Sequence, residues 1–157
     1  MEIRAAVVTI TDSRKAADDV SGVTLAGLLL EMNVVVAEKL IISDELSEIT
    51  DILRMLADRG DVDLIVTTGG TGLGPRDNTP EATRAVIERE APGISEAMRR
   101  ETAKNTPLSM LSRGVCGVRK GTLIVNFPGS PKAVEECFAV VRPVFEHALK
   151  MIAGGSH

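Results

Sequence analysis

Strand-like and helix-like hydrophobic patterns alternate along the whole sequence. The runs at residues 3–11, 34–43 and 62–68 are short, apolar and rich in β-branched side chains, as expected for strands covered on both faces of a parallel sheet. Helical spacing separates them, and the first helix is expected to run from an N-cap at Ser21 to a stop at Asn33. This alternation predicts an α/β fold, namely a three-layer sandwich around a mostly parallel central sheet.

The second half of the chain continues this pattern. Thr79 as N-cap and Pro80 at the first helical position predict a helix over 79–90, which Pro92 and Gly93 are expected to end. The remaining predicted elements are a helix near 94–104, a hairpin-like pair of strands around Lys120-Gly121, and a last helix that is interrupted or restarted at Pro143.

Length and composition limit the functions available to this chain. The 157 residues are 44% hydrophobic, which fits one domain over residues 1–152 with a flexible tail over residues 153–157. Three Phe, no Trp, no Tyr and a net charge of −4 argue against a nucleic-acid partner. Cys116 and Cys137 stand in no metal-binding or disulfide spacing, and no signal peptide or membrane-spanning run is present. We therefore expect a cytoplasmic protein without a membrane partner.

The glycine-rich segment TTGGTGLGPRD, residues 67–77, directly follows a strand-like run. In open α/β sheets, ligands bind beyond the carboxyl ends of the strands, and three such ends carry unusual loops: TDSR, GGTGLGPRDNT and NFPGSPK. Each loop leads to a helix N-terminus, which offers unpaired N–H groups and a partial positive charge. The sequence therefore predicts that these three loops form a phosphate pocket.

Two common phosphate motifs do not account for the glycine-rich segment. It is not a P-loop, because no Gly-Lys-Ser/Thr ends it, and it is not a dinucleotide fingerprint, because Pro75 stands where a third glycine would complete the motif. A conformational role remains open, in which the glycines only supply positive φ for a turn between strand and helix.

Several sequence blocks, in a fixed order, carry a family resemblance. The blocks are TDSR with Asp19 and Ser21-Gly22 after it, SDE at 43–45, TTGGTG…RD-TPEAT, PGISEAMR, LSR at 111–113 and NFPGSPKAV. On these residues the chain resembles the MogA/MoaB family of molybdopterin-binding proteins, which make molybdenum cofactor, over almost its whole length.

The resemblance implies a compact α/β fold of the molybdopterin-binding type, a homotrimer or homohexamer, and binding of the dithiolene pterin molybdopterin. In MogA-like members the terminal phosphate of molybdopterin attacks the α-phosphorus of ATP, giving adenylylated molybdopterin and pyrophosphate, with Mg²⁺ required. Such a site must neutralise charge and align the two substrates rather than provide a protein nucleophile. Because the second domain of fused eukaryotic relatives is absent from the sequence, metal insertion is expected to need a separate protein.

The resemblance also implies roles for individual residues. Asp44 and Asp77 match the two aspartates on which adenylylation depends, so they are the expected catalytic residues and Mg²⁺ ligands. The N–H groups of Gly69 to Gly72 are expected to bind phosphate, with Arg76 or Lys132 offsetting its charge. The expected substrate- and nucleotide-binding residues are Thr11, Asp12, Ser13, Gly69, Gly70, Thr71, Gly72, Arg76, Ser109, Arg113, Asn126, Pro128, Gly129 and Ser130.

Less specific interpretations stand beside these. Asp44 taken alone is typical of the start of a helix, and Asp12 and Ser13 are typical of an ordinary turn. Ser130 is also a suitable helix N-cap, and Lys132 also suits a solvated position on the surface. For the whole protein, the alternative to an adenylyltransferase is a non-catalytic molybdopterin-binding or carrier protein of the MoaB type, since RDNTPEAT and NFPGSP also resemble MoaB.

Overall fold

The computed structural model describes residues 2–13 and 18–155. Within these residues there are six strands: β1 (Arg4–Ile10), β2 (Val35–Ile42), β3 (Leu64–Thr68), β4 (Arg89–Glu90), β5 (Cys116–Arg119) and β6 (Thr122–Phe127). They form one sheet in the order β2-β1-β3-β6-β5-β4. The first four strands of that order are parallel, whereas β5 is antiparallel to both of its neighbours. The predicted mostly parallel sheet is confirmed.

Five α-helices in the described residues cover the two faces of this sheet: α1 (Val20–Glu31), α2 (Leu46–Arg59), α3 (Thr79–Val86), α4 (Pro92–Thr102) and α5 (Pro131–Ile152). Because side chains alternate along a strand, Val7 of β1 faces a core formed with α1, α4 and α5, whereas Val8 faces a core formed with α2 and α3. The predicted three-layer sandwich is therefore confirmed.

The start of α1 differs from the prediction. Asp19, not Ser21, is the N-cap, and its carboxylate accepts a hydrogen bond of 3.0 Å from the N–H of Gly22. Asp19 also accepts hydrogen bonds from Thr9 on β1 and Lys39 on β2, so two neighbouring strands fix this side chain. The Ser21 prediction was wrong because these partners are distant in the sequence.

The predicted helix over 79–90 is also too long. α3 ends at Val86, and Arg89–Glu90 forms β4, because the N–H groups of Glu88 and Ala91 donate to carbonyls of the neighbouring strand β5. Asn78 rather than Thr79 is the N-cap of α3.

Pro92 and Gly93 begin α4 instead of ending α3. Proline is well tolerated in the first helical turn, where its missing N–H has no partner. The predicted hairpin is confirmed, since β5 and β6 are joined at Lys120-Gly121. The predicted interruption of the last helix at Pro143 was wrong, because α5 runs through Pro143 as one helix of 22 residues. Burial of Phe138, Val141 and Phe145 on both sides of the proline holds the helix together.

Three parts of the sequence predictions fall on residues outside the described ranges: Met1, Arg14 of the TDSR loop, and the last two residues of the tail. Of that tail, Gly155 donates a hydrogen bond to the carbonyl of Lys150, which closes the end of α5. The division into a domain over residues 1–152 and a flexible tail over residues 153–157 stays a prediction. Among the described residues, no helix combines the length and the apolar character that crossing a membrane requires.

Candidate functional site

The loops that follow β1, β2, β3 and β6 meet at one edge of the sheet. They surround a cavity of about 340 Å³, which we call the carboxylate cavity. Its lining residues are Thr9, Ile10, Thr11, Ser13, Ser21, Asp44, Thr68, Gly69, Gly70, Asp77, Gly129 and Ser130. Because β1, β3 and β6 are parallel, their carboxyl ends must share this edge. The predicted convergence of the three loops is confirmed.

The backbone conformation just after β3 requires glycine at two positions. Gly69 and Gly70 have φ values of 99° and 70°, in the left-handed region that favours glycine. A Cβ atom on Gly69 would overlap the carbonyl oxygen of Ile10, and one on Gly70 would overlap the hydroxyl of Thr79. The glycine-rich segment therefore does supply a turn, as the conformational interpretation proposed.

The same turn also leaves backbone donors available. The N–H of Gly69 donates to the carbonyl of Phe127 at 3.2 Å, so it is used within the fold. No described residue accepts a hydrogen bond from the N–H of Gly70, Thr71 or Gly72. Only these last three N–H groups of the predicted four are therefore available to bind an anion.

Asp77 lies inside the bend of this segment. Its Oδ2 atom accepts a 2.8 Å hydrogen bond from the N–H of Gly74. A Cβ atom on Gly72 or Gly74 would lie 2.9 Å from that same oxygen, so both glycines allow the backbone to pass close to the carboxylate. The segment thus presents one carboxylate and a row of N–H groups to the same space.

Arg113, a predicted binding residue, holds the glycine-rich segment in place. Its backbone N–H donates to the carbonyl of Thr71, and its guanidinium donates to the carbonyls of Gly72 and Asp77 at 2.7 and 2.8 Å. The guanidinium also forms an ion pair with Glu81 of α3. These contacts occupy Arg113 and point to a positioning role.

Asp44 faces the cavity from the loop after β2. It is 8% exposed, and burial raises the pKa of its carboxyl, with the nearby charges of Asp12 and Asp77 acting in the same direction. The backbone of Asp44 is fixed at both groups: its N–H donates to Asp12 and its carbonyl accepts from the side chain of Asn78. The backbone of Asp44 is therefore held in place, and its carboxyl lies in a site with excess negative charge.

Arg76 is a cation whose charge acts on the Asp44 carboxyl, and it is already paired with other carboxylates. Its guanidinium donates to both oxygens of Asp12 and, at 2.7 Å, to Glu45. The hydrogen bond from Arg76 lowers the pKa of the Asp12 carboxyl. Arg76 thus ties the glycine-rich segment to the loops after β1 and β2, and it does not line the cavity.

The donor set fits a cation that takes few protein ligands. In the described ranges, no cluster of three or more His, Cys, Asp or Glu side chains is arranged to hold a metal ion. Two carboxylates, Asp44 and Asp77, do line the same cavity. Mg²⁺ is commonly held by one or two carboxylates together with substrate phosphates and water, so this pair suits it.

A second cavity of about 250 Å³, which we call the interior chamber, lies beside the first. Ser130 lines both of them, with its side chain capping α5. The lining residues of the chamber are Ser95, Met98, Arg99, Thr102, Thr106, Leu108, Ser109, Ser112, Gly114, Asn126, Pro128, Ser130, Ala133, Glu136 and Cys137. A third cavity of about 350 Å³, lined by residues including Gly70, Asp77 and Pro128, adjoins both.

The predicted binding residues around the chamber are mostly engaged within the fold. The Asn126 amide is buried and bonds to the N–H of Val115 and to the hydroxyls of Thr67 and Thr83. The Ser109 hydroxyl donates to the carbonyl of Arg99. Lys132 lines none of the three cavities.

Sequence reasoning did not single out Ser95, which lies in the PGISEAMR block and carries no local signal of function. It is 3% exposed, and its hydroxyl has no hydrogen-bond partner among the described residues. Its position in the wall of the interior chamber becomes visible only once α4, α5 and the Pro128 loop are packed together.

Fold and site together define an α/β protein with a ligand site at the carboxyl ends of parallel strands, beside a glycine-rich segment and two carboxylates. Residues 6–147 match the family model described as "Probable molybdopterin binding domain", and the chain belongs to this family of molybdenum cofactor biosynthesis proteins.

Three similar proteins illustrate the relationship. The molybdopterin adenylyltransferase of Helicobacter pylori strain J99 is 38% identical over 144 residues, which cover 90% of this chain and 82% of the relative. The molybdenum cofactor synthesis protein cinnamon of Drosophila melanogaster is 43% identical over 156 residues; the match covers 93% of this chain but 25% of that longer protein. The crystal structure of the molybdopterin biosynthesis enzyme MoaB from Thermus thermophilus superimposes with a TM-score of 0.89 at 43% identity, covering 97% of both chains.

Proposed function

We propose that this protein is a molybdopterin adenylyltransferase that uses ATP and Mg²⁺. An oxygen of the terminal phosphate of molybdopterin forms a bond to the α-phosphorus of ATP. The bond from that phosphorus to the bridging oxygen breaks, and pyrophosphate leaves. The observation that best supports this reaction is the carboxylate cavity, where Asp44 and Asp77 line the same space as Gly70 of the glycine-rich segment; Thr71 and Gly72 line the adjoining third cavity, which also contains Asp77.

The charge of the cavity supports the need for a divalent cation. Asp12, Asp44 and Asp77 raise the local negative charge, and Arg76 is already paired with Asp12 and Glu45. A triphosphate entering this space without a cation would meet strong repulsion. When bound, Mg²⁺ supplies the positive charge that lets carboxylates and phosphates share one site, and Asp44 and Asp77 are the residues that would hold it.

The chain's own groups bind and align the substrates. The N–H groups of Gly70, Thr71 and Gly72 donate to a phosphate, while Arg113 and Arg76 hold the segments that carry these donors and the carboxylates. No protein nucleophile is needed, because the attacking oxygen belongs to molybdopterin. Catalysis then rests on alignment of two anionic groups in a rigid pocket.

The direct test is to incubate the purified protein with molybdopterin, ATP and Mg²⁺ and to measure adenylylated pterin and pyrophosphate. Stoichiometric formation of both products, dependent on Mg²⁺, is the expected result. Pterin binding without either product would contradict the proposed activity.

The second candidate function is a molybdopterin-binding or carrier protein. The observation that favours it is the pairing of both arginines near the cavity: Arg76 is bound to Asp12 and Glu45, and Arg113 to Glu81 and to backbone carbonyls. Neither guanidinium is free to stabilise charge on a transferring phosphoryl group. This function predicts that the protein binds molybdopterin but forms no adenylylated pterin or pyrophosphate when ATP and Mg²⁺ are present.

We also propose that the chain forms a homotrimer or homohexamer, and that α1 lies in a contact between copies. α1 has no charged residue between Asp19 and Glu31, and Val20, Val23 and Leu30 on its outer side are 57%, 57% and 58% exposed. A helix that is apolar all round is normally covered. A Cβ atom on Gly27 would meet no atom within 4 Å, so packing within the chain does not explain this glycine.

Replacing Val23 by glutamate is expected to shift the protein to a smaller species, because a charge would be buried in the contact between copies. Light scattering at micromolar concentration measures the molar mass. Leu46→Glu, which changes an apolar residue on α2 that is 45% exposed, is the control and should leave the mass unchanged. A wild-type protein that is monomeric at this concentration would contradict the proposal.

A further inference from the structure

The side chain of Asn78 makes no capping hydrogen bond to α3, although asparagine is one of the residues preferred at a helix N-cap. Its backbone has φ −112° and ψ 2°, which is not the extended conformation in which a capping side chain normally reaches the N–H groups of the first turn. The side-chain amide of Asn78 instead donates a 2.9 Å hydrogen bond to the backbone carbonyl of Asp44. This donor therefore joins two loops of the site.

The residues on either side of Asn78 are fixed to the glycine-rich segment. On one side, the Asp77 carboxylate accepts a hydrogen bond from the N–H of Gly74. On the other side, Thr79 is fully buried, and its N–H donates to the carbonyl of Gly70 at 3.1 Å. Asn78 thus belongs to a segment whose own position is set by the glycine-rich segment, and its side chain reaches from there to the loop after β2.

The glycine-rich segment passes close to both carboxylates of the cavity. A Cβ atom on Gly70 would lie 3.3 Å from Oδ1 of Asp44, and one on Gly72 would lie 2.9 Å from Oδ2 of Asp77. The two carboxylates also act on each other, because the charge of Asp77 contributes to the raised pKa of the Asp44 carboxyl. Since like charges repel, the loops that carry them must be tied together to keep a fixed separation before a cation binds.

A second link between the two loops is exposed to solvent. Arg76 donates to Asp12 and Glu45, and these three side chains are 51%, 43% and 59% exposed. Ion pairs this exposed contribute little, because water and salt screen the charges. The bond from Asn78 ends on Asp44, which is 8% exposed, so water competes less for this carbonyl. Asn78 therefore makes the better protected of the two links.

We propose that Asn78 is a positioning residue, which ties the loop of Asp44 to the segment of Asp77 and so fixes the separation of the two carboxylates for a small divalent cation. The inference rests on the proposed function, because that function requires Asp44 and Asp77 to hold Mg²⁺. Mg²⁺ demands a near-ideal octahedral geometry, whereas the larger Ca²⁺ accepts flexible arrangements of oxygen ligands. A fixed separation of the carboxylates thus favours Mg²⁺ over Ca²⁺.

The test is the substitution Asn78→Ser, with metal binding measured in the absence of substrates. Serine is also a preferred residue at the start of a helix, but its side chain is too short to donate to the Asp44 carbonyl. The probe is Mn²⁺, whose unbound form is measured by electron paramagnetic resonance, and Mg²⁺ and Ca²⁺ are then added as competitors. We expect the affinities for Mn²⁺ and Mg²⁺ to fall by about 10-fold and the affinity for Ca²⁺ by less than about 3-fold.

The change in metal selectivity separates positioning from a structural role, because a general loosening of the fold would weaken the binding of all three cations alike. Asn105→Ser, at an exposed position after α4, is the matched control and should change none of the three affinities. Asn78→Ala also removes the donor and should give the same shift in selectivity. Circular dichroism compares the folds of all four proteins.

Two results would overturn the inference and leave the proposed function intact. They are unchanged affinities in both Asn78 variants, and an equal loss of affinity for all three cations. A wild-type protein that binds neither Mn²⁺ nor Mg²⁺ would instead contradict the role of Asp44 and Asp77 as metal ligands in the proposed function, and the inference with it. The titration of the wild type alone therefore distinguishes the two failures.

Discussion

Replacing Asp77 by asparagine is expected to reduce pyrophosphate release by about 100-fold or more, while molybdopterin binding is largely retained. A metal ion that stabilises transition-state charge contributes several kcal/mol, and each 1.36 kcal/mol corresponds to about a tenfold change in rate. Asparagine keeps an oxygen that can accept the hydrogen bond from Gly74, so the glycine-rich segment should retain its course. The lost property is the charge that faces the carboxylate cavity.

The control for this variant is Asp51→Asn, which removes a carboxylate from the solvent-exposed side of α2. Pyrophosphate release and pterin binding are measured on all three proteins, with circular dichroism to compare their folds. Equal rates for wild type and Asp77→Asn would show that Asp77 does not hold the metal ion or the triphosphate. A parallel loss of pterin binding would instead assign Asp77 to the binding of pterin.

The location of the site could be predicted from the sequence, because it depends on features that are local or topological. Alternating strand and helix patterns imply parallel strands, and parallel strands bring their carboxyl ends to one edge. The loops containing Ser13, Gly69 and Ser130 follow three of these strands, and all three residues line the carboxylate cavity. Asp44 and Asp77 lie there as well, although their catalytic and metal-binding roles stay predictions.

The use of each polar group could not be predicted, because it depends on partners that are far away in the sequence. Arg113 is 36 residues from Asp77, yet its guanidinium donates to the Asp77 carbonyl. The side-chain amide of Asn126 likewise donates its hydrogen bonds to the hydroxyls of Thr67 and Thr83. A sequence pattern identifies Arg and Asn as suitable ligands for phosphate, but only packing decides whether their donors remain available.

The helix ends were mispredicted for the same reason. Local propensity extends α3 toward residue 90, but the edge of β5 offers carbonyl groups to Glu88 and Ala91, and the segment pairs with the sheet instead. At α1, Ser21 is a suitable N-cap by composition, whereas Asp19 gains bonds from two strands in addition to the cap. In both cases tertiary contacts outweigh propensities of a few tenths of a kcal/mol.

Replacing Asp19 by alanine is expected to lower the free energy of unfolding by about 3 kcal/mol, because it removes an N-cap, which typically contributes about 1 kcal/mol, and leaves the buried Thr9 hydroxyl unpaired, which costs about 1–3 kcal/mol. The Asp19 side chain is fully buried and accepts hydrogen bonds from Thr9, Gly22 and Lys39 at 2.9–3.0 Å. The substitution removes the N-cap of α1 and leaves the Thr9 hydroxyl and the Lys39 ammonium without this partner. Chemical denaturation measures the effect, and Asp51→Ala, an exposed residue, should change it by less than about 0.5 kcal/mol.

The pH dependence of Asp19→Asn separates the ionic part of this contribution from the hydrogen bonds. Burial acts to raise the pKa of the Asp19 carboxyl, but the bonds from Lys39, Thr9 and Gly22 outweigh it and hold the pKa below its ordinary value. A lowered pKa in the folded state stabilises the protein above the unfolded value, and this stabilisation is lost as the pH falls through the folded value. Wild type should therefore exceed Asp19→Asn in stability at pH 7 by an amount that shrinks below about pH 4. A difference that stays constant down to acidic pH would mean that the charge of Asp19 contributes nothing, and that Asp19 stabilises the junction of α1, β1 and β2 through its neutral hydrogen bonds alone.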